Sequence, residues 1–351
     1  MNNDSKTGFQ RVLSGDAFAA PPPDSVRPMV TSIGERDALW FQETFARINN
    51  NVGKVLKGKA DQINLALISL VSEGHLLLED VPGVGKTSLA RAIAESISGS
   101  WQRVQFTPDL LPTDVTGISI WNQGRGEFEF KQGPVFANIV IGDEINRASP
   151  KTQSALLEVM EERQVTVDGR PRKVPRPFVV VATQNPVEMD GTYNLPEAQL
   201  DRFLLKMSMG YPDMQSEVGM VSGRVGVTSM TLDPVVTIEE VTRLIDVASA
   251  VRLDPELVHY AVSVVQATRQ SADIRLGASP RGSLGLLRAA QSLAIAEGRT
   301  FAVADDVKRL AVPVLGHRLI LSPDAQLRGL TSERILGELL ARVAVPGGIG
   351  R

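Results

Sequence analysis

Five short apolar runs mark the first two thirds of the chain. They lie at 76–78, 104–106, 139–141, 178–181 and 203–205, and helical or polar segments separate them. Apolar residues follow one another in these runs instead of alternating with polar residues, which is typical of strands that are covered on both faces. The pattern therefore predicts an α/β fold with a parallel five-stranded sheet between helices.

Helical periodicity dominates the rest of the chain. A helix is predicted from residue 35, because Phe41, Phe45 and Ile48 share one face. Further helices are predicted at about 60–71, 238–250, 255–270, 280–297, 304–316 and 332–343. The strand pattern disappears after 211–213, so the C-terminal part is expected to be a second, all-helical domain. The stretch 219–236 is too irregular for an assignment.

Two segments interrupt the sheet pattern and are predicted to be hairpins that leave the core. One spans 118–132 and turns at 122–126, and the other spans 164–174 and turns at 168–169. The first 33 residues lack sustained periodicity and are expected to form a flexible tail. The predicted organisation is a tail at 1–33, an α/β nucleotide-binding core at 34–212 and a smaller helical domain at 213–351.

A glycine-containing loop joins the first strand to an apolar helix at 88–97, which is the context that a phosphate-binding loop requires. Its residues are Pro82, Gly83, Val84, Gly85, Lys86, Thr87 and Ser88. The glycines let backbone N–H groups turn toward anionic oxygens, Lys86 would neutralise the terminal phosphates, and Thr87 would bind Mg²⁺. The strict motif has glycine where this chain has Asp80. A chance glycine-rich turn is the alternative, and the strand and helix on either side disfavour it.

Two acids, Asp143 and Glu144, follow the buried strand at 139–141. Parallel strands place their carboxyl ends at one edge of the sheet, beside the phosphate loop. Asp143 is therefore predicted to hold hydrated Mg²⁺, and Glu144 is predicted to polarise the water that attacks ATP. A surface turn with ordinary acids is the alternative, and the position of the acids after the phosphate loop disfavours it. Together the two motifs predict ATP hydrolysis.

Three further residues are candidates for the same site. Asn185 follows the next strand and is placed to orient the attacking water, with a turn residue before Pro186 as the alternative. Arg202 and Arg281 are candidates for stabilising charge on the γ-phosphate, although each fits an ordinary ion-pair arginine when taken alone. These three residues support the motifs and would not establish the function by themselves.

Composition narrows the function classes. With 37 basic and 40 acidic residues, the chain has no overall positive field that would favour nucleic acid as a partner. It has no cysteine, which excludes disulfides, a thiolate nucleophile and cysteine zinc sites. No apolar run approaches the roughly 20 residues that span a bilayer, and the N-terminus has no secretory pattern. We therefore expect a cytoplasmic protein without a membrane span.

With these motifs in this order, the chain resembles the MoxR family of AAA+ ATPases over roughly residues 34–344. The most specific stretches are GHLLLEDVPGVGKT at 74–87, GDEINRASPKTQ at 142–153 and GASPR at 277–281. The family tolerates aspartate at the position of Asp80. It often has Gly-Gln in the loop on the adenine side, where this chain has Gly58 and Lys59, so the adenine contacts stay unassigned.

The resemblance implies roles for the candidate residues. Lys86 and Thr87 would be the nucleotide-loop residues, Asp143 and Glu144 the magnesium and water acids, and Asn185 the polar sensor. Arg202 would be the finger that reaches the ATP of a neighbouring subunit. Arg281, on the helical lid, would sense the γ-phosphate in its own subunit.

The resemblance also implies an architecture and partners. It implies an AAA+ P-loop core with two inserts, namely the helix-two insert at 118–132 and the pre-sensor hairpin at 164–174, followed by the lid. The subunits would form a ring of identical chains, expected to be a hexamer, that uses ATP and Mg²⁺. The ring would remodel or help to mature client proteins together with a protein that carries a von Willebrand factor A domain.

Two other functions fit the same fold. A DNA-directed AAA+ motor is one, and the charge balance and the lack of an attached DNA-binding motif count against it. A nucleotide-gated binding module with slow turnover is the other. The sequence fits this module as well as it fits the remodelling ATPase, and measured turnover with and without partners separates the two.

Overall fold

The computed structural model describes residues 33–186, 192–224 and 231–345. Apart from Ile33, the predicted tail at 1–33 lies outside the described residues, and so does the part of the unassigned stretch at 225–230. The predicted domain limits stay predictions.

The helices and strands are numbered in chain order. The helices are α1 (Glu35–Gly53), α2 (Ala60–Val71), α3 (Lys86–Glu95), α4 (Pro112–Thr116), α5 (Pro150–Glu162), α6 (Glu197–Leu200), α7 (Met214–Arg224), α8 (Ile238–Ser249), α9 (Pro255–Gln270), α10 (Pro280–Ala296), α11 (Ala304–Leu315), α12 (Pro323–Leu327) and α13 (Ser332–Arg342). The strands are β1 (Leu76–Glu79), β2 (Ile97–Ser98), β3 (Trp101–Gln105), β4 (Gly117–Asn122), β5 (Glu127–Gln132), β6 (Ile139–Asp143), β7 (Gln164–Val167), β8 (Arg170–Lys173), β9 (Val179–Gln184), β10 (Leu205–Met207), β11 (Val236–Thr237), β12 (Ile274–Leu276) and β13 (Ile320–Leu321).

A five-stranded parallel sheet with the order β10-β1-β9-β6-β3 forms the centre of the core, which confirms the predicted α/β class. The sheet separates two apolar cores because its strands carry apolar side chains on both faces. Leu76 and Leu78 belong to the core that includes α2 and α3, whereas Leu77 belongs to the core that includes α5. Two covered faces are what the continuous apolar runs predicted.

The strand bounds differ from the predicted ones by a few residues. Polar residues such as Gln102 and Gln184 continue the backbone ladder beyond the apolar runs, because strand pairing needs only backbone groups. Strand β10 begins at Leu205 and not at Phe203, so the start of its predicted apolar run precedes the residues that pair with β1.

Both predicted hairpins are present. Strands β4 and β5 pair antiparallel, and β7 and β8 do the same around a turn at Asp168 and Gly169, which both have positive φ. The hairpins also contact each other. Ser119 hydrogen bonds to the Asp168 carboxylate, and the Arg172 guanidinium lies 4.0 Å from the centroid of the Phe130 ring. The two inserts therefore form one connected unit.

Helices α8 to α13 form the C-terminal lid, and the periodicity predicted all of them except the five-residue α12. Short strands also occur there: β11 pairs with β2 of the core, and β12 pairs with β13. Strands of two or three residues leave no readable pattern in the sequence, which explains why they were not expected. Within the described parts of the chain, no helix is long and apolar enough to cross a membrane.

Candidate active site

The phosphate loop joins β1 to α3. Gly83 and Gly85 have φ values of 84° and 99°, a backbone region that glycine adopts without steric cost. Lys86 begins α3, and its Nζ donates hydrogen bonds to the carbonyl oxygens of Asp80 and Val81. The helix N-terminus and the lysine charge at the same loop favour an anionic ligand.

Asp80 stands where the strict motif has glycine, and its carboxylate accepts hydrogen bonds from three backbone N–H groups. One oxygen accepts a hydrogen bond from the Val81 backbone N–H at 2.7 Å. The other accepts from the backbone N–H groups of Met209 at 2.9 Å and Gly210 at 2.7 Å. Asp80 thus fastens the phosphate loop to the segment that follows β10.

Lys59 holds the same segment from another side. Its side chain is buried, and Nζ donates hydrogen bonds to the carbonyl oxygens of Met209 at 2.7 Å, Gly210 at 3.1 Å and Tyr211 at 2.9 Å. Three backbone acceptors satisfy the three N–H groups of an ammonium. This geometry gives Lys59 a structural role at the position where the adenine contacts were left unassigned.

Asp143 ends β6 beside the phosphate loop and is buried. Its Oδ1 accepts hydrogen bonds from Thr87 Oγ1 at 2.9 Å and Thr183 Oγ1 at 3.2 Å, and its Oδ2 lies 2.6 Å from Arg103 Nε. Carboxylate and hydroxyl oxygens are the ligand types that Mg²⁺ prefers. The two predicted metal residues, Thr87 and Asp143, therefore lie together and fit a magnesium site.

Glu144 leaves the strand with a φ of 55°, which is uncommon for a residue other than glycine and is frequent at functional sites. Its backbone N–H donates to Thr183 Oγ1 at 3.0 Å. Its Oε2 accepts a hydrogen bond from Gln105 Nε2 at 2.9 Å and lies 3.0 Å from the guanidinium of Arg147. Both partners therefore bind the same oxygen of the Glu144 carboxylate.

Asn185 follows β9 directly and is buried. Because Gln184 pairs with Glu79 at the end of β1, Asn185 lies at the same edge of the sheet as the phosphate loop. Its carbonyl oxygen accepts a hydrogen bond from Asn146 Nδ2 at 3.1 Å. The phosphate loop, both acids and Asn185 therefore share one edge of the sheet, which we call the loop edge.

Arg202 and Arg281 lie elsewhere and bind one shared carboxylate. Arg202 Nε is 2.9 Å from Glu161 Oε2, and the Arg281 guanidinium is bonded to Glu161 Oε1. Burial disfavours the charged form of Glu161, but the hydrogen bonds and charges of the two arginines outweigh burial and lower its pKa. The two arginines thus form a cationic pair around one anion.

Arg281 lies away from the phosphate loop of its own chain, whereas the resemblance implied a role at that loop. Strands β1 and β10 are parallel, so the loop after Glu79 and the residues before Leu205 lie at opposite ends of the strands. Four strand residues span about 13 Å. Arg281 shares Glu161 with Arg202, which precedes β10, and therefore lies at the end away from the phosphate loop of its own chain. We call this end the arginine edge.

A cavity of about 380 Å³ opens between core and lid at the arginine edge. Charged residues line it: Arg163, Arg202, Arg281, Arg288 and Arg318 together with Glu73, Glu161 and Asp201. The arginines outnumber the acids, and a surplus of positive charge in a cleft favours an anionic ligand.

The structure also brings in residues that sequence reasoning missed. Arg103 and Gln105 alternate on an edge strand and contact Asp143 and Glu144, so their polar spacing was an available signal. No sequence pattern pointed to Glu161, because its two partners are 41 and 120 residues away in the chain.

Two family models match the chain. Residues 75–205 match the ATPase family associated with various cellular activities (AAA), and residues 266–339 match the AAA lid domain. A phosphate loop, an acid-ended strand and a helical lid in this order define the AAA+ class of ATPases.

Individual relatives give a finer assignment. The chain is 50% identical over 297 residues to protein YeaC of Bacillus subtilis, covering 84% of this chain and 93% of that one. It is 43% identical over 312 residues to chaperone MoxR1 of Mycobacterium tuberculosis, covering 86% and 82%. A crystal structure of a candidate ATPase from Cytophaga hutchinsonii superposes with a TM-score of 0.82 at 37% identity, covering 89% and 98%. The chain belongs to the MoxR family of AAA+ ATPases.

Proposed function

We propose that this chain hydrolyses ATP with Mg²⁺ and couples hydrolysis to the remodelling or maturation of other proteins. The hydrogen bond of 2.9 Å between Thr87 and Asp143 supports ATP hydrolysis with Mg²⁺, because it joins the phosphate loop to the acid-ended strand. The relative from Mycobacterium tuberculosis is named a chaperone, and this name supports the remodelling or maturation of other proteins.

Each residue at the loop edge has a part in this reaction. The loop N–H groups and Lys86 bind the phosphates, and Thr87 and Asp143 are the residues that would hold Mg²⁺. When bound, the ion neutralises charge on the phosphates. Glu144 accepts a proton from the attacking water, and Asn185 orients that water.

The arginine edge supplies charge to a different ATP. Arg202 and Arg281 lie at the strand ends away from their own phosphate loop, so we infer that both face the γ-phosphate bound by a neighbouring subunit. A ring of identical subunits, expected to be a hexamer, repeats this contact at every interface.

The cellular setting of the proposal follows from the family. The ring would act in the cytoplasm on client proteins, with a protein that carries a von Willebrand factor A domain as its partner. The balance of 37 basic and 40 acidic residues argues against a DNA-directed role. Stimulation of ATP turnover by DNA and not by protein would reverse this preference.

One observation favours the nucleotide-gated module as a second candidate. Gln105 and Arg147 both bind Oε2 of Glu144, so one of the two carboxylate oxygens that can accept a proton is already engaged. Release of these contacts would then precede hydrolysis, and turnover by the free protein would be slow until a partner binds.

Glu144→Gln tests the proposed reaction. Removal of the proton acceptor should lower phosphate release by about 10²-fold or more while ATP binding persists. Glu158→Gln, an exposed site on α5, makes the same chemical change away from the loop edge and should leave both quantities unchanged. Phosphate release and ATP affinity are measured for each purified protein. Unchanged phosphate release by Glu144→Gln would remove Glu144 from the reaction.

A further inference from the structure

Asp201 connects the two arginines of the arginine edge. It directly precedes Arg202, and its Oδ2 accepts a hydrogen bond from Ser279 Oγ at 2.8 Å. Ser279 is the N-cap residue of α10, where its Oγ also accepts from the backbone N–H of Arg281 at 3.1 Å. One carboxylate and one hydroxyl therefore link the backbone beside Arg202 to the backbone of Arg281.

Arg318 of the lid holds the segment 201–204 through an ion pair and several hydrogen bonds. The Arg318 side chain is buried, and its Nε lies 2.7 Å from Asp201 Oδ1. Its guanidinium also donates hydrogen bonds to the carbonyl oxygens of Asp201 at 3.2 Å, Phe203 at 2.7 Å and Leu204 at 3.3 Å. A buried guanidinium with this many acceptors holds a backbone segment in one conformation.

Close packing reinforces the same link. A Cβ atom at Gly285 of α10 would lie 3.0 Å from Leu204 Cδ1, and a Cβ atom at Gly74 would lie 2.2 Å from Leu204 Cδ2. Leu204 is thus enclosed between the start of the core sheet and a lid helix. The segment that carries Arg202 is therefore fixed to the lid on its polar and its apolar side.

We propose that Asp201 and Ser279 are positioning residues that hold Arg202 and Arg281 at a fixed spacing, so that the lid aligns both arginines on the neighbouring subunit's ATP. This inference rests on the proposed ATPase function. Neither positioning residue contacts ATP. Loss of the link would misplace the arginines and slow hydrolysis at the neighbouring site without weakening ATP binding in the altered subunit.

Ser279→Ala is the test, and Ser322→Ala is its matched control. Both serines are partly buried N-cap residues before a proline in lid helices, but Ser322 Oγ accepts only a local hydrogen bond, from the Ala325 N–H at 3.3 Å. Both variants should lose the stability of a helix cap, and Ser279→Ala should lose the hydrogen bond to Asp201 in addition. Only Ser279→Ala should lower kcat, by about ten-fold, with KM for ATP nearly unchanged. Ser279→Thr keeps the hydroxyl and should restore kcat.

Mixed assemblies separate the neighbouring site from the subunit's own site. Glu144→Gln subunits lack the base but keep both arginines and Ser279, so mixing them with Ser279→Ala subunits should give more activity than the two separate preparations. If Ser279→Ala turns over like Ser322→Ala, or if mixing restores nothing, the positioning role is wrong. If Arg202→Ala itself keeps full activity, the proposed arginine contribution fails instead.

Discussion

The two edges of the core sheet hold their charged groups in different ways. At the loop edge, Asp143 binds Thr87 and Arg103, and Glu144 binds Gln105, so the partners come from the core itself. At the arginine edge, Arg202 shares Glu161 with a lid residue, and its neighbour Asp201 binds two more. The core alone assembles the first set, whereas the second set also needs the lid in place.

Because of this difference, variants at the two edges should show two different defects. A change at the loop edge should remove nucleotide binding or hydrolysis within the altered subunit. A change at the arginine edge should leave nucleotide binding intact and impair hydrolysis in the neighbouring subunit. The two kinds of variant are therefore expected to complement each other in mixed assemblies.

Lys86→Ala should have the largest effect, because it removes the only charge that the phosphate loop itself presents to the phosphates. ATP at about 100 times its Kd stabilises a binding protein by about 2.7 kcal/mol, and the variant should lose this gain. Thermal unfolding with and without ATP measures it, and phosphate release should fall to background. Lys131→Ala, an exposed lysine on β5, should keep both. Full ATPase activity in Lys86→Ala would remove the loop edge from the proposal.

Arg202→Ala should have the next largest effect. Loss of a finger arginine lowers hydrolysis by about 10³-fold in other nucleotide hydrolases, and the thermal gain from ATP should persist because the loop edge is intact. Arg334→Ala, an exposed arginine paired with Glu338 on α13, is the control and should be silent.

Assemblies that mix two variants test whether Arg202 acts on a neighbouring subunit. Arg202→Ala subunits supply a working loop edge, and Lys86→Ala subunits supply a working arginine edge, so the mixture should recover part of the phosphate release. Absence of recovery in assemblies shown to be mixed would mean that the two edges do not meet across an interface.

The sheet and the loop edge were largely predictable from the sequence. Continuous apolar runs occur where strands are covered on both faces, and parallel strands necessarily bring their carboxyl ends together. The chain order of Lys86, Asp143 and Asn185 was therefore enough to place them at one edge. Their chemical roles remain predictions that the variants test.

The arginine edge was not predictable in the same way. Periodicity identifies the lid helices but does not say which end of the sheet they cover. The expectation that Arg281 senses the γ-phosphate of its own subunit came from the family resemblance alone. Glu161 and Asp201 look like ordinary surface acids in the sequence, because their partners are far along the chain. Lys59 likewise gave no sign of the three carbonyl oxygens that it binds.

A pH experiment gives the smallest expected effect on activity and probes the arginine edge through stability. His75 is buried there, where its Nδ1 accepts a hydrogen bond from the Val180 N–H at 2.9 Å and its Nε2 lies 3.1 Å from the Met160 carbonyl oxygen. Only the neutral ring can accept at one nitrogen and donate from the other. Burial, and then the charge of Arg163, lower the pKa of His75 from 6.5 to about 3.

A depressed histidine pKa destabilises the fold in acid, because the unfolded chain takes up a proton that the folded chain refuses. Between pH 6.5 and about pH 3, His75 should lower the free energy of unfolding by up to about 1.4 kcal/mol per pH unit, with no such loss above pH 6.5. His75→Gln should flatten this slope in urea unfolding between about pH 7 and pH 4.5. His259→Gln, an exposed site on α9, should keep the wild-type slope. Parallel slopes for His75→Gln and the wild type would show that His75 takes up a proton in the folded state, and the arginine edge would then tolerate a further positive charge.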